Sequence, residues 1–128
     1  MYSYQFSEWQ AVILLRQLKH LDQIFAKRKE LYEFYDKKID NPNVKKPIMD
    51  NDAVCCRYTI QAENRNEFYR ECVKQGVDMD FSHCSFGCPD IFMDEHNIAD
   101  RILNLPYCYD LSEKEINKVI RVVNSINI

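Results

Sequence analysis

The stretch Ala99-Asp-Arg-Ile-Leu-Asn-Leu-Pro-Tyr-Cys-Tyr-Asp-Leu-Ser-Glu-Lys-Glu-Ile-Asn-Lys-Val-Ile120 decides how the chain is read. Its second half announces a helix. Ser112 can cap the first turn with its hydroxyl, and Glu115 stands three residues on to complete a capping box. Leu111 and Ile116 occupy the two ends of a hydrophobic staple. Ile116, Val119, Ile120 and Val123 then recur at helical spacing and define one buried stripe. In the first half, Leu105-Pro106 reads as an extended stop, because proline fixes φ and lacks an N–H. Ile98 to Leu103 reads as a short helix.

Upstream, Val77-Asp-Met-Asp-Phe81 alternates apolar and polar, as a half-buried strand does. Gly76 precedes it and suits a helix C-terminus that needs a left-handed residue. The helix it ends spans Asn64 to Gln75, with Phe68, Tyr69, Cys72 and Val73 inward. Ala53 to Ile60 reads as a strand, and Pro42 and Pro47 mark the extended connection before it. Ser7 and Gln10 form a second capping box, so one long helix is expected from Glu8 to Ile39. Its stripe runs Ala11, Leu14, Leu18, Leu21, Phe25, Tyr32, Tyr35 and Ile39, with Arg28 in the irregular slot. Val12, Ile13 and Leu15 widen it near the start, where burial on more than one side is expected. The aromatic and arginine positions suit packing on the helix's own domain better than a coiled-coil seam.

These elements predict one α/β domain over residues 1–128, a short sheet packed on helices in an α+β-like arrangement. A chain of 128 residues can bury a core. Its 46% hydrophobic and 29% charged residues exclude a disordered chain. A net charge of -3 argues against nucleic-acid and anionic-membrane partners. Met1-Tyr-Ser-Tyr-Gln lacks the form of a secretion signal, and no apolar run is long enough to span a membrane, so a cytoplasmic protein with reduced cysteines is expected.

The pattern "LP-x-x-x-x-LS-x-x-E-I-x-x-V-I" of residues 105–120 does not stand alone. Phe6-Ser-Glu-Trp-Gln-Ala11, Gln17-Leu-Lys-His-Leu-Asp22, Lys27-Arg-Lys-Glu30 with Tyr35, Tyr58-Thr-Ile60 and Gly76-Val77 precede it in order. Together these blocks resemble the small C-terminal domain of the DegT/StrS-type sugar-nucleotide aminotransferases, which are pyridoxal-phosphate enzymes of fold type I. The resemblance implies amino transfer from glutamate to a keto-sugar nucleotide, a dimer or a large-domain partner, and a cofactor lysine in a large domain. This stretch carries no counterpart of that domain's "S-F-x-x-x-K" segment. No catalytic residue is therefore assigned, no cofactor is expected on the chain alone, and a non-catalytic interaction or regulatory module with the same fold stays open.

Two departures locate the implied contacts. Where the family has "N-Y-R-M", with an asparagine near the cofactor phosphate of the neighbouring subunit, this chain has Ser3-Tyr-Gln-Phe6. Ser3 becomes the cofactor-side candidate, and Gln5 replaces the arginine. Where many members have "Y-P-x-P-x-H" near the sugar, this chain has His83-Cys-Ser-Phe-Gly-Cys88. His83, Cys84 and Cys88 thus lie on the implied substrate-side loop. With Cys108 they number four zinc-type ligands, but structural zinc sites use two tighter pairs, so reduced loop cysteines are preferred and no metal is assigned. A cysteine nucleophile assisted by His83 or His96 would need a base within reach, which spacing does not supply. Tyr2, Tyr4, Phe6 and Trp9 cluster at an interface or in the core; both readings stand.

Overall fold

The computed structural model describes residues 7–50, 53, 56–80 and 97–128. Its elements are α1 (Glu8–Leu18), α2 (Leu21–Lys38), β1 (Val44–Lys45), β2 (Tyr58–Ala62), α3 (Arg65–Lys74), β3 (Ile102–Leu105) and α4 (Glu113–Ser125). The strands form an antiparallel sheet in the order β1-β2-β3, with Val44 opposite Ala62 and Ile60 opposite Leu103. Residues of β2 alternate, so Tyr58, Ile60 and Ala62 turn inward. They meet Leu103 and Leu105 of β3, Tyr35 of α2, Phe68 and Cys72 of α3, and Val119, Val122 and Val123 of α4 in one core. Tyr58 lies between two rings, with Tyr32 and Tyr35 each 5.2 Å away between centroids.

The expected long helix is two helices. Lys19 caps α1, and His20, at φ -105° and ψ 6°, opens α2. Arg16 in the last turn of α1 and Asp22 in the first turn of α2 each suit the local end of a helix dipole. The break separates two environments. Leu31, Tyr32 and Tyr35 are the buried residues of α2, whereas α1 buries none. Burial of the first half on several sides is therefore corrected: Val12, Ile13, Leu14, Leu15 and Leu18 are exposed. The described sheet offers them no partner surface.

Two strand readings also shift. β2 begins at Tyr58 rather than Ala53 and continues to Ala62, because its pairing with β3 starts at Leu105. The helix expected over Ile98 to Leu103 is a helical turn at 97–99, after which Ile102 and Leu103 enter β3. Short apolar runs have no period that separates helix from strand, and the sheet claimed this one. Within the expected strand Val77–Phe81, Asp80 alone forms a ladder bridge, to Asn104, and Phe81 lies outside the described residues.

Both helix signals marked by punctuation are realised. Gly76 sits at φ 72°. Its N–H reaches Val73 O at 2.8 Å and the Val77 N–H reaches Cys72 O at 2.9 Å, the two bonds of a Schellman end. An alanine Cβ at Gly76 would lie 2.7 Å from Lys118 Nζ, in a left-handed conformation that L residues resist. Gly76→Ala is expected to destabilise the fold by about 1–2 kcal/mol in urea unfolding.

At α4, Ser112 N–H donates to Glu115 Oε2 at 2.8 Å, and Glu115 N–H donates to Ser112 Oγ at 3.4 Å. The Ser112 hydroxyl also donates to the carboxylate at 2.6 Å. These bonds hold the Glu115 carboxyl below its ordinary pKa. Their stabilisation is complete above the unfolded-state pKa and disappears as pH falls through the lowered folded value. Glu115→Gln, the arrangement that Gln10 already provides at α1, is expected to flatten that part of the acid-unfolding curve.

Candidate functional site

The sheet's second face is polar. Residues 77–80 leave α3 and run beside β3, where Asp80 N–H donates to Asn104 O at 3.2 Å and Asn104 N–H to Asp80 O at 2.8 Å. On its other side Asn104 faces Thr59 of β2. Directly opposed residues share a face, so Thr59, Asn104 and Asp80 form a row across the sheet, away from the core. Arg57, two residues before Thr59, lies on the same face and places Nη1 3.6 Å from Asp80 Oδ2. Both ends of this ion pair are about half exposed, so its worth to stability is small. The Thr59 hydroxyl donates to Asn104 Oδ1 at 2.9 Å.

An open hollow of about 320 Å³ adjoins this row, lined by Arg57, Asp78, Asp80, Asn104, Pro106 and Tyr107 among others. Its aromatic wall is tied to α2. Tyr107 donates its hydroxyl to Arg28 O, and the Arg28 guanidinium stands 5.9 Å from the Tyr107 ring centroid. Arg28 also donates to Cys56 O at 3.1 Å, so the residue in the irregular slot of the stripe serves as a strut between α2, the entry to β2 and the exit from β3. The Tyr35 hydroxyl donates to Pro106 O at 2.8 Å. Asp78 accepts from the Tyr69 hydroxyl at 3.1 Å, which raises the pKa of that phenol.

The sequence reading missed this row. Its signal was Asn104, a polar residue inside Ile102-Leu-Asn-Leu105, but the helix assigned there ended before it. The residues singled out from sequence fall elsewhere. Ser3, Gln5, His83, Cys84, Cys88 and His96 lie outside the described residues. Asp80, which borders the hollow, immediately precedes the stretch that holds His83. Cys108 and Cys56 are exposed, and among the described residues no group of three or more His, Cys, Asp or Glu is placed to hold a metal ion. Cys72 is fully buried, and burial with the neighbouring Glu71 charge pushes its thiol up to about 12, so it packs as an inert hydrophobe.

All ten lysines are described and all are exposed. A Schiff-base lysine needs desolvation or a neighbouring cation to be a useful nucleophile. The row beside the hollow offers hydrogen-bond donors and acceptors next to an aromatic wall.

Comparison with solved structures places this architecture. The chain superposes on the sugar aminotransferase CalS13 from Micromonospora echinospora with a TM-score of 0.82 at 19% identity, covering 97% of this chain and 36% of that one. It superposes on DesV from S. venezuelae, solved with a ketimine intermediate, with a TM-score of 0.81 at 22% identity, covering 94% and 36%. The sugar aminotransferase Spr1654 from Streptococcus pneumoniae, described as putative and solved in its PLP form, gives a TM-score of 0.82 at 16% identity, covering 97% and 36%. At these identities the likeness establishes the fold, and the chain spans about a third of the length of each of these proteins. No curated protein sequence matches it. The family match runs over residues 1–124, and the chain belongs to the DegT/DnrJ/EryC1/StrS aminotransferase family.

Proposed function

We propose that this chain is the small-domain portion of a pyridoxal-phosphate-dependent aminotransferase that moves an amino group from glutamate to a keto-sugar nucleotide in the cytoplasm. It would work as a homodimer or with a large-domain partner that carries the cofactor lysine. One observation carries this reading. α1 is apolar and bare in a chain that spans about a third of its structural relatives. Trp9 is 81% exposed and Ile13 62%. A run of exposed apolar residues from Trp9 to Phe25 is a surface that further protein covers. The large domain is the occupant this reading assigns to it.

Under the same proposal, Ser3 faces the cofactor phosphate of a neighbouring subunit, and His83, Cys84 and Cys88 line the sugar side. The exposure of every lysine also favours a second reading, a non-catalytic module that kept the fold. Co-expression with a polypeptide that bears the family's lysine segment separates the two. The aminotransferase reading expects a yellow complex that transfers nitrogen from glutamate, with neither polypeptide active by itself. A chain that neither joins the complex nor restores activity would leave the module.

A further inference from the structure

We propose that α1 inserts into its partner as a core helix: it enters a cleft with two apolar walls in the large domain, and that cleft meets Arg16 with a carboxylate. The inference deepens the aminotransferase reading and rests on it for the identity of the occupant; the shape and charge of the cleft rest on α1 itself. Successive side chains on a helix turn by about 100°. A helix that packs on one surface therefore shows an apolar stripe on one side. α1 has no such restriction. Val12-Ile-Leu-Leu15 is an unbroken apolar run, so its side chains point in four directions. Ile13 and Leu15 stand about 160° apart, and both are bare, at 62% and 59% exposure. Trp9, Val12, Leu14 and Leu18 occupy much of the remaining circumference, and all four are exposed. The polar gap, at Gln10 and Gln17, is only about 100° wide.

A helix that is apolar on nearly every side belongs inside a core, yet α1 buries no residue in this chain. One flat partner surface, or a second α1 laid alongside, would cover one side and leave the other in water. Two walls are needed. The chain corresponds to 36% of CalS13, so the remainder of such a protein is large enough to enclose an 11-residue helix. Arg16 adds a charge requirement. It stands one turn beyond Val12 on the apolar side, it is exposed, and among the described residues no carboxylate forms an ion pair with it. Insertion takes its guanidinium out of water, and a desolvated cation is tolerated only when paired. The planar fork of donors fits a carboxylate, so the cleft carries an Asp or Glu at that point.

Trp9 is the chain's only tryptophan, so 5-fluorotryptophan labels α1 alone. The test is fluorine NMR and binding of the labelled 128-residue chain with the co-expression partner that bears the lysine segment. On assembly the fluorine signal is expected to shift and to lose its response to exchange of H2O for D2O. Ile13→Glu and Leu15→Glu, on opposite sides of α1, are each expected to weaken assembly tenfold or more. Gln17→Glu, in the polar gap, is expected to assemble as the parent does. Arg16→Met keeps the bulk but strands the partner's carboxylate, and a tenfold loss is expected. All four positions are exposed, so the chain's own fold is kept in every variant. No association, a Trp9 signal that still responds to solvent, or self-association of the chain alone would overturn the insertion. Loss with only one of Ile13→Glu and Leu15→Glu, equal loss with Gln17→Glu, or parent-like binding by Arg16→Met would overturn it too. Amino transfer by a complex in which Trp9 stays exposed would sink the insertion alone. Trp9 buried, with both faces sensitive but no amino transfer, would sink the aminotransferase reading alone.

Discussion

Tyr35→Ala is expected to destabilise the domain by about 3–5 kcal/mol, the usual cost of emptying a large aromatic site in a core. Three losses combine at this position. The ring is 0% exposed and belongs to the cluster that joins α2 to β2, β3 and α4. It meets Tyr58 edge-on at 5.2 Å, a geometry that adds to simple burial. Its hydroxyl also holds Pro106 O at 2.8 Å, where the chain turns out of β3. Burial raises the phenol's pKa, so the group stays a neutral donor at any working pH. Tyr35→Phe separates the terms, since it keeps the ring and loses the bond, and about 1 kcal/mol is expected. Urea unfolding of both variants checks the account. Equal effects would show that the hydroxyl and not the ring carries the site.

Asn41→Leu is expected to cost about 2–4 kcal/mol although leucine is the more hydrophobic residue. Asn41 is 6% exposed. Its Nδ2 donates to Val123 O at 2.6 Å and Ile126 O at 2.7 Å, which closes the C-terminal end of α4. Its Oδ1 accepts from Asn43 N–H at 2.9 Å and sets the turn into β1. One side chain thus satisfies two carbonyls left over by α4 and pins the end of that helix to the start of the sheet. Leucine would strand both carbonyls. The expected readout is a lower urea midpoint, with faster hydrogen exchange in the last turn of α4.

How much of this was legible follows from the kind of signal each element has. Ser112 with Glu115 and Gly76 are local instructions: a hydroxyl three residues from a carboxylate, and a residue without Cβ where φ is positive. They were read correctly because nothing distant decides them. The break at Lys19-His20 has no proline or glycine to announce it. The stripe continues through it in sequence, while the surface that would bury the stripe ends near Leu31. Ile102 to Leu105 is too short for its period to speak, and it became a strand because β2 was there to pair with it. The candidate site was least legible. Arg57, Thr59, Asn104 and Asp80 are scattered in sequence, and only the antiparallel register sets them in one row. The blocks that carry the family resemblance pointed instead to Ser3, His83, Cys84 and Cys88, which lie outside the described residues.

The bare face of α1 makes the central claim testable in a single measurement: the intact mass of the native polypeptide from its own cells, taken with its copurifying partner after borohydride reduction. The account predicts a longer chain, or this chain in complex with a larger one, and pyridoxal phosphate fixed to a lysine outside residues 1–128. A chain of this length isolated alone, with no cofactor on any partner, would contradict it.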